Sequence, residues 1–175
     1  GGAPPAVAIP EPRPVGPGRI YLVDRPESAQ TVIAEILPGP KRKVEDYYAF
    51  RLADAVWGGA FQSRLNLNLR EDKGYSYAVF SYARAHTAAG PWMAWGGVQT
   101  DKTAESVAEF VAELRALAGQ KPISAEELAA ARANRVRGYA QRFESLGRVT
   151  DLAGELWVHG LPMTELQRES EETEK

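Results

Sequence analysis

The chain of 175 residues contains no cysteine, two histidines, two methionines and no marked excess of either charge. Without cysteine there are no disulfides, thiolate metal sites or thiol nucleophiles, and the redox compartment is left undefined. With two histidines, metal binding would depend chiefly on Asp and Glu. The 21 basic and 23 acidic residues give a net charge of −2, so no electrostatic excess draws the chain to nucleic acid or an anionic membrane. No apolar run approaches the roughly 20 residues that span a bilayer, so membrane insertion is not expected. The sequence begins without a methionine or a basic-then-apolar leader, and we expect it to be a mature or excised piece of a longer chain.

What is present suits one soluble domain: 44% of residues are hydrophobic and 25% charged, enough for one well-buried core. Residues 1–18, with six prolines and four glycines, read as an interdomain linker, leaving 19–175 as a single domain. Strands are expected at Arg19–Asp24 and Thr31–Leu37, where β-branched and aromatic residues cluster before turn signals. From Glu45 a helical period takes over through Tyr48, Leu52, Ala55 and Val56, and Gly58-Gly59 closes it. A second helix fits Phe61 to Lys73, with Phe61, Leu65 and Leu69 on one face and Gly74 at a left-handed stop.

Two more strands follow. Tyr75–Ala83 alternates, placing Tyr75, Tyr77 and Val79 on one face, and Trp92–Gln99 is its expected neighbour. Helices are then expected over the stripe Val107, Phe110, Val111, Leu114 and Leu117, capped by Thr100 or Asp101; from the capping box at Ser124 to Phe143; and over the stripe Leu146, Val149, Leu152, Ala153, Leu156 and Trp157. Paired strands between groups of helices give an α+β order. The expectation is a two-layer sandwich, an antiparallel sheet of about four or more strands with helices on one face.

The chemistry narrows by exclusion. The chain has no phosphate loop of the GxxxxGK[ST] type and no GxSxG nucleophile elbow. His86 and His159 belong to neither HExxH nor HxxEH; Glu155 and His159 share a helical face at i, i+4, but a third ligand is missing, and a solvated or core-edge histidine is the ordinary reading. The stretch Arg70-Glu71-Asp72-Lys73-Gly74-Tyr75-Ser76-Tyr77 admits two readings. A cation at a helix C-terminus is electrostatically ordinary, and tyrosine is common in half-buried strands. Alternatively, a helix that stops at Gly74 and reverses into a strand aims Arg70 and Tyr77 at one spot, a pair of donors suited to a peptide carbonyl or developing oxyanion. Glu71, Asp72 and Lys73 are expected to be solvated turn residues.

The run from Trp57 through Gly58-Gly59, Ser63-Arg64-Leu65, Leu69-Arg70-Glu71 and Gly74 to Tyr77 resembles the GG-x-x-x-SRL-x-x-x-LRE-x-x-G-x-x-Y signature of the pitrilysin/insulinase family of zinc metallopeptidases, mitochondrial processing peptidases among them. The likeness extends outward over about residues 19 to 160 and lies in the non-catalytic, C-terminal type of domain. It implies a clamshell enzyme in which one half carries an HxxEH zinc site and the other supplies an arginine and a tyrosine, six residues apart, that bind substrate backbone. Those positions are Arg70 and Tyr77, for substrate binding; no catalytic or metal-ligating residue is implied in this chain. The cofactor, zinc, and the partner, a zinc-bearing domain or subunit of the same family, are expected elsewhere, with unfolded peptide as substrate. The runner-up is a catalytically inert scaffold of the same fold. Relatives with a Pro-rich linker before such a domain point to the periplasm or cell envelope, with the cytoplasm as the alternative.

Overall fold

Three antiparallel strands carry the sheet of this computed structural model, which describes residues 8–10 and 18–174. Most of the expected linker, 1–18, lies outside the described residues. The strands are β1 (Gln30–Pro38), β2 (Ser76–Ala83) and β3 (Pro91–Gln99), in the order β1-β3-β2, so among the described residues β1 and β2 each keep a free edge. Ile33 and Val79 both pair with Gly96, and Glu35 and Ser81 with Ala94, which fixes one face of all three strands. That face is buried through Val79, Trp92, Ala94 and Val98. The other carries exposed Val32, Ile36, Phe80 and Trp95, an apolar patch of the kind that marks an interaction surface.

The helices are α1 (Tyr47–Asp54), α2 (Arg64–Asn66), α3 (Thr103–Ala118), α4 (Ala125–Tyr139), α5 (Leu146–Val158) and α6 (Glu165–Glu174). Both α1 and α2 run on into wider π-helical turns, Ala55–Gly59 and Leu67–Asp72. Trp57, Leu65, Leu69 and Phe110 pack with Val79, Trp92 and Ala94 in one core, and burying side chains of this size is worth about 1.5–3 kcal/mol each. Gly58 is required by close approach: a Cβ there would lie 2.6 Å from the Ser81 hydroxyl. Asp54, at the end of α1, accepts hydrogen bonds from Ser81 Oγ (2.6 Å) and Trp92 Nε1 (2.7 Å), tying the helix to β2 and β3.

The α+β class stands, but the described residues form three strands where four or more were expected. Arg19–Asp24 is exposed and unpaired, Ile20 reaching 90% exposure. The turn Arg25–Ser28, with Glu27 at φ 65°, separates it from β1. Strand propensity depends on cross-strand packing, and this run pairs with no strand among the described residues. The cap on α3 also differs, because Thr100 and Asp101 sit inside a 3₁₀ turn, Thr100–Lys102, and no side chain caps the helix. On α5, Leu156 is buried but Trp157 is 82% exposed, since the helix meets its neighbours along one narrow line and the wide stripe is not covered.

The capping box at Ser124 forms as expected, and Glu127 also receives the guanidinium of Arg64. Arg64 donates from Nε to Oε1 (2.6 Å) and from Nη2 to Oε2 (2.5 Å), with further bonds to the carbonyls of Lys121 and Pro122. The arginine of the SRL signature is thus a clamp between α2 and the start of α4. It draws the Glu127 carboxyl from 4.5 down to about 2, against the opposing effect of burial, and the Ser124 amide adds to the fall. A carboxyl depressed in the folded state stabilises fully above its unfolded pKa, and that contribution drains away as pH falls toward the folded value. Unfolding free energies of wild type and Glu127→Gln should therefore differ by a constant amount above about pH 5 and converge between about pH 4.5 and 2. A difference still undiminished at about pH 3 would contradict the clamp.

Candidate functional site

The site grows from the way α2 ends. Leu65 and Leu69, one turn apart, are fully buried and pin α2 to the core. The Leu67–Asp72 turn is wound to i→i−5 bonding, with Lys73 N donating to Asn68 O at 3.0 Å, a geometry often found at functional positions. Gly74 then takes φ 64°, the left-handed stop read from the sequence, and the chain reverses. Tyr75 N bonds back to Leu69 O (2.8 Å), while Gln99 donates its backbone N–H to Tyr75 O and its side-chain amide to Gly74 O (both 2.8 Å), fastening the reversal to the end of β3.

Arg70 and Tyr77 do come together. The Arg70 Cζ lies 5.2 Å from the Tyr77 ring centroid and 4.4 Å from that of Phe61, so one guanidinium rests against two aromatic faces. Its Nε also pairs with Glu71 Oε1 at 3.2 Å. Stacking and the ion pair restrict a side chain that would otherwise sample many rotamers. The Arg70 side chain is 26% exposed and Tyr77 80% exposed, and the Tyr77 hydroxyl donates no hydrogen bond among the described residues. Both offer donors to a ligand arriving from solvent.

Two corrections concern orientation. The strict alternation expected over Tyr75–Ala83 breaks at a register shift between Ser76, opposite Val98, and Val79, opposite Gly96. Three residues on β2 advance against two on β3, so Tyr77 leaves the buried face of Val79 and turns outward. Phe61 is likewise not on the buried face of α2. Ser63 is still extended at ψ 155°, the helix begins at Arg64, and Phe61 projects from the preceding loop, free to meet Arg70. Glu71 and Lys73 are exposed as expected, yet both are paired, Lys73 with Glu109 at 3.2 Å.

One buried side chain holds the arrangement. Asn66, fully buried, accepts from Val79 N (3.1 Å) through Oδ1 and donates from Nδ2 to Phe61 O (2.7 Å). The bulge takes Val79 N out of the ladder, and Asn66 supplies the acceptor it lacks. Ser76 Oγ completes the bulge, donating to Gly97 O at 2.6 Å and accepting from Ala78 N at 3.2 Å. From sequence Phe61 was assigned to a helical face with Leu65 and Leu69, and Asn66 was not singled out, although an Asn between Leu65 and Leu67 was a visible polar break.

The remaining candidates do not make a metal centre. Glu155 is engaged by Arg42, its Oε1 3.5 Å from Nε, and the protonated form of His159 is disfavoured first by burial. The neighbouring Glu155 opposes this lowering of its pKa, while Arg42, His86 and Lys43 add to it. Among the described residues no three His, Asp or Glu side chains gather into a metal-binding group.

Residues 2–135 match the model of a family described as the peptidase M16 inactive domain. The chain belongs to this family. The resemblance carried by Gly58-Gly59 through Tyr77 thus identified it correctly: this is the inactive type of domain from the pitrilysin/insulinase zinc proteases. Over 74 residues the M16 domain is 34% identical to the uncharacterized zinc protease YmxG of Bacillus subtilis, a match covering 41% of this chain and 18% of that protein. Its fold is that of the M16 inactive domain from Pseudomonas fluorescens, with a TM-score of 0.76 at 21% identity over 85% of this chain and 35% of that one. A chain of complex III2 from Candida albicans has the same fold, with a TM-score of 0.69 at 17% identity over 85% of this chain and 37% of that one. The M16 domain therefore spans about a fifth of its curated relative and about a third of these solved chains.

Proposed function

We propose that this M16 domain holds an extended peptide for hydrolysis at a zinc centre carried by another domain or subunit, and that Arg70 and Tyr77 are the residues that hold it. The observation that carries this reading is the Arg70 guanidinium resting on Phe61 and the exposed Tyr77, at the free edge of β2. A peptide laid along such an edge satisfies backbone N–H and C=O groups that the sheet leaves unpaired. Arg70 donates to a substrate carbonyl near the scissile bond, and the Tyr77 hydroxyl donates to the oxygen as negative charge builds on it. Activation of water is supplied by zinc in the partner; this chain binds, orients and stabilises charge. In keeping with this reading, residues 1–18 serve as the linker to that partner, 19–175 act as one unit, and the assembly works in the periplasm or cell envelope.

The test is binding. An unstructured peptide titrated into the domain should bind at least about tenfold more weakly to Arg70→Ala than to wild type, corresponding to about 1.4 kcal/mol. Equal affinities would remove Arg70 from the peptide site. The second reading, an inert scaffold, is favoured by the fold shared with a chain of complex III2. It expects no peptide binding by either protein.

A further inference from the structure

A concave site that shares no residue with the Arg70–Tyr77 surface lies between α1, α4, α5 and α6. Its volume is about 390 Å³, within the range of about 300–1,000 Å³ usual for small-molecule sites. Its wall combines guanidiniums with carboxylates, and nearly every carboxylate oxygen is already engaged. Glu165 accepts from Tyr48 OH (2.7 Å) and Arg42 Nη1 (3.4 Å), and Glu169 from Arg135 Nη2 (2.6 Å) and Arg142 Nη1 (2.5 Å). The third wall carboxylate, Glu155, faces Arg42 Nε at 3.5 Å.

Four guanidiniums line the cavity with these three carboxylates, Arg168 outside it also pairs with Glu165 Oε2 at 3.5 Å, and the lining guanidinium that meets no carboxylate is Arg51. It donates from Nη1 to Tyr47 OH at 3.2 Å and pairs with no carboxylate among the described residues. Arg135 Nε is cut off from solvent and has no hydrogen-bond partner. Leaving such a buried donor unsatisfied costs about 1–3 kcal/mol. The rest of the wall is made by Tyr47, Tyr48, Tyr139 and Gly138 together with three leucines, Leu152, Leu156 and Leu166.

We propose that this cavity binds a small organic monocarboxylate, its carboxylate meeting Arg51 and its hydrocarbon body lying against Leu152 and Leu166. The guanidinium of Arg51 matches one carboxylate, and the wall carboxylates Glu155, Glu165 and Glu169 stand against a more highly charged anion beside them. Leu152 and Leu166 give the monocarboxylate an apolar strip against which its carbon can be buried. Arg135 holds its proton less firmly than usual, first because of burial and next because the charge of Arg51 is near, and a bound anion relieves the second cause directly.

The experiment measures thermal stability of the whole chain in acetate, hexanoate, benzoate, phosphate or chloride at constant ionic strength. A ligand selective for the folded state raises the melting temperature as RT ln(1 + [L]/Kd). Hexanoate and benzoate should give saturable rises exceeding that of acetate, with chloride and phosphate giving none. Arg51→Met, which keeps the aliphatic stem at a partly exposed position, should weaken the response at least tenfold. Leu152→Trp, which fills the cavity without touching a charge, should abolish it, and this variant decides the matter if Arg51→Met does not fold. No saturable rise with any carboxylate, a larger rise with phosphate, or variants that respond like wild type would overturn the assignment.

Discussion

Arg70→Ala, introduced into the assembled zinc peptidase, should lower kcat/KM for peptide hydrolysis by roughly 10²–10³, and Tyr77→Phe by roughly 10–10². The larger figure belongs to Arg70 because a guanidinium gives charge-assisted, forked hydrogen bonds, whereas removal of the Tyr77 hydroxyl deletes one neutral donor and leaves its ring against Arg70. Much of each loss should fall on kcat, because a donor aimed at a carbonyl oxygen strengthens its bond as that oxygen gains charge. Arg70→Lys should not restore activity, since a lysine keeps the charge but loses the planar fork and stacks less well on Phe61 and Tyr77. Phe61→Ala, which loosens Arg70 without removing a donor, should cost less than either substitution. If Arg70→Ala and Tyr77→Phe both turn over substrate at near wild-type rates, the peptide-orienting role fails and the scaffold reading takes its place.

How much of this was legible in the sequence follows from how local each determinant is. The stop at Gly74 was, because a positive φ has one favoured residue, and so was the Ser124 capping box, whose partners are three residues apart. That Arg70 and Tyr77 meet was legible from the reversal at Gly74 that lies between them. The outward turn of Tyr77 was not, since a bulge is a property of two strands and β3 decides it. Phe61 was misplaced for a related reason: its spacing to Leu65 and Leu69 fits a helical face, but the helix starts three residues later. Arg19–Asp24 shows the reverse error, strong local propensity that pairs with no strand among the described residues. The stripe on α5 was read as wider than its contact, because periodicity reports which residues share a face and not how much of that face is covered.

Asn66 is where stability and site geometry meet, and Asn66→Ala should cost about 2–4 kcal/mol. Two backbone groups depend on this one amide, a buried one at Val79 and a part-buried one at Phe61. The bulge between Ser76 and Val79 denies Val79 N its ladder partner, and Asn66 Oδ1 takes that place at 3.1 Å. At the other end Nδ2 holds Phe61 O at 2.7 Å, and alanine releases Phe61 O while leaving Val79 N unmatched in the buried interior. Asn66→Asp should be no rescue. The carboxylate can still accept from Val79 N but cannot donate to Phe61 O, and it brings a charge to a fully buried position. The loss should appear in urea unfolding as a lower midpoint at unchanged slope. It should also reach the site, because Phe61 and Tyr77 flank Arg70 from the two segments that Asn66 joins. Peptide affinity should therefore fall in Asn66→Ala even where the protein is fully folded, and a variant less than about 0.5 kcal/mol destabilised, with wild-type affinity, would show that the bulge holds without it.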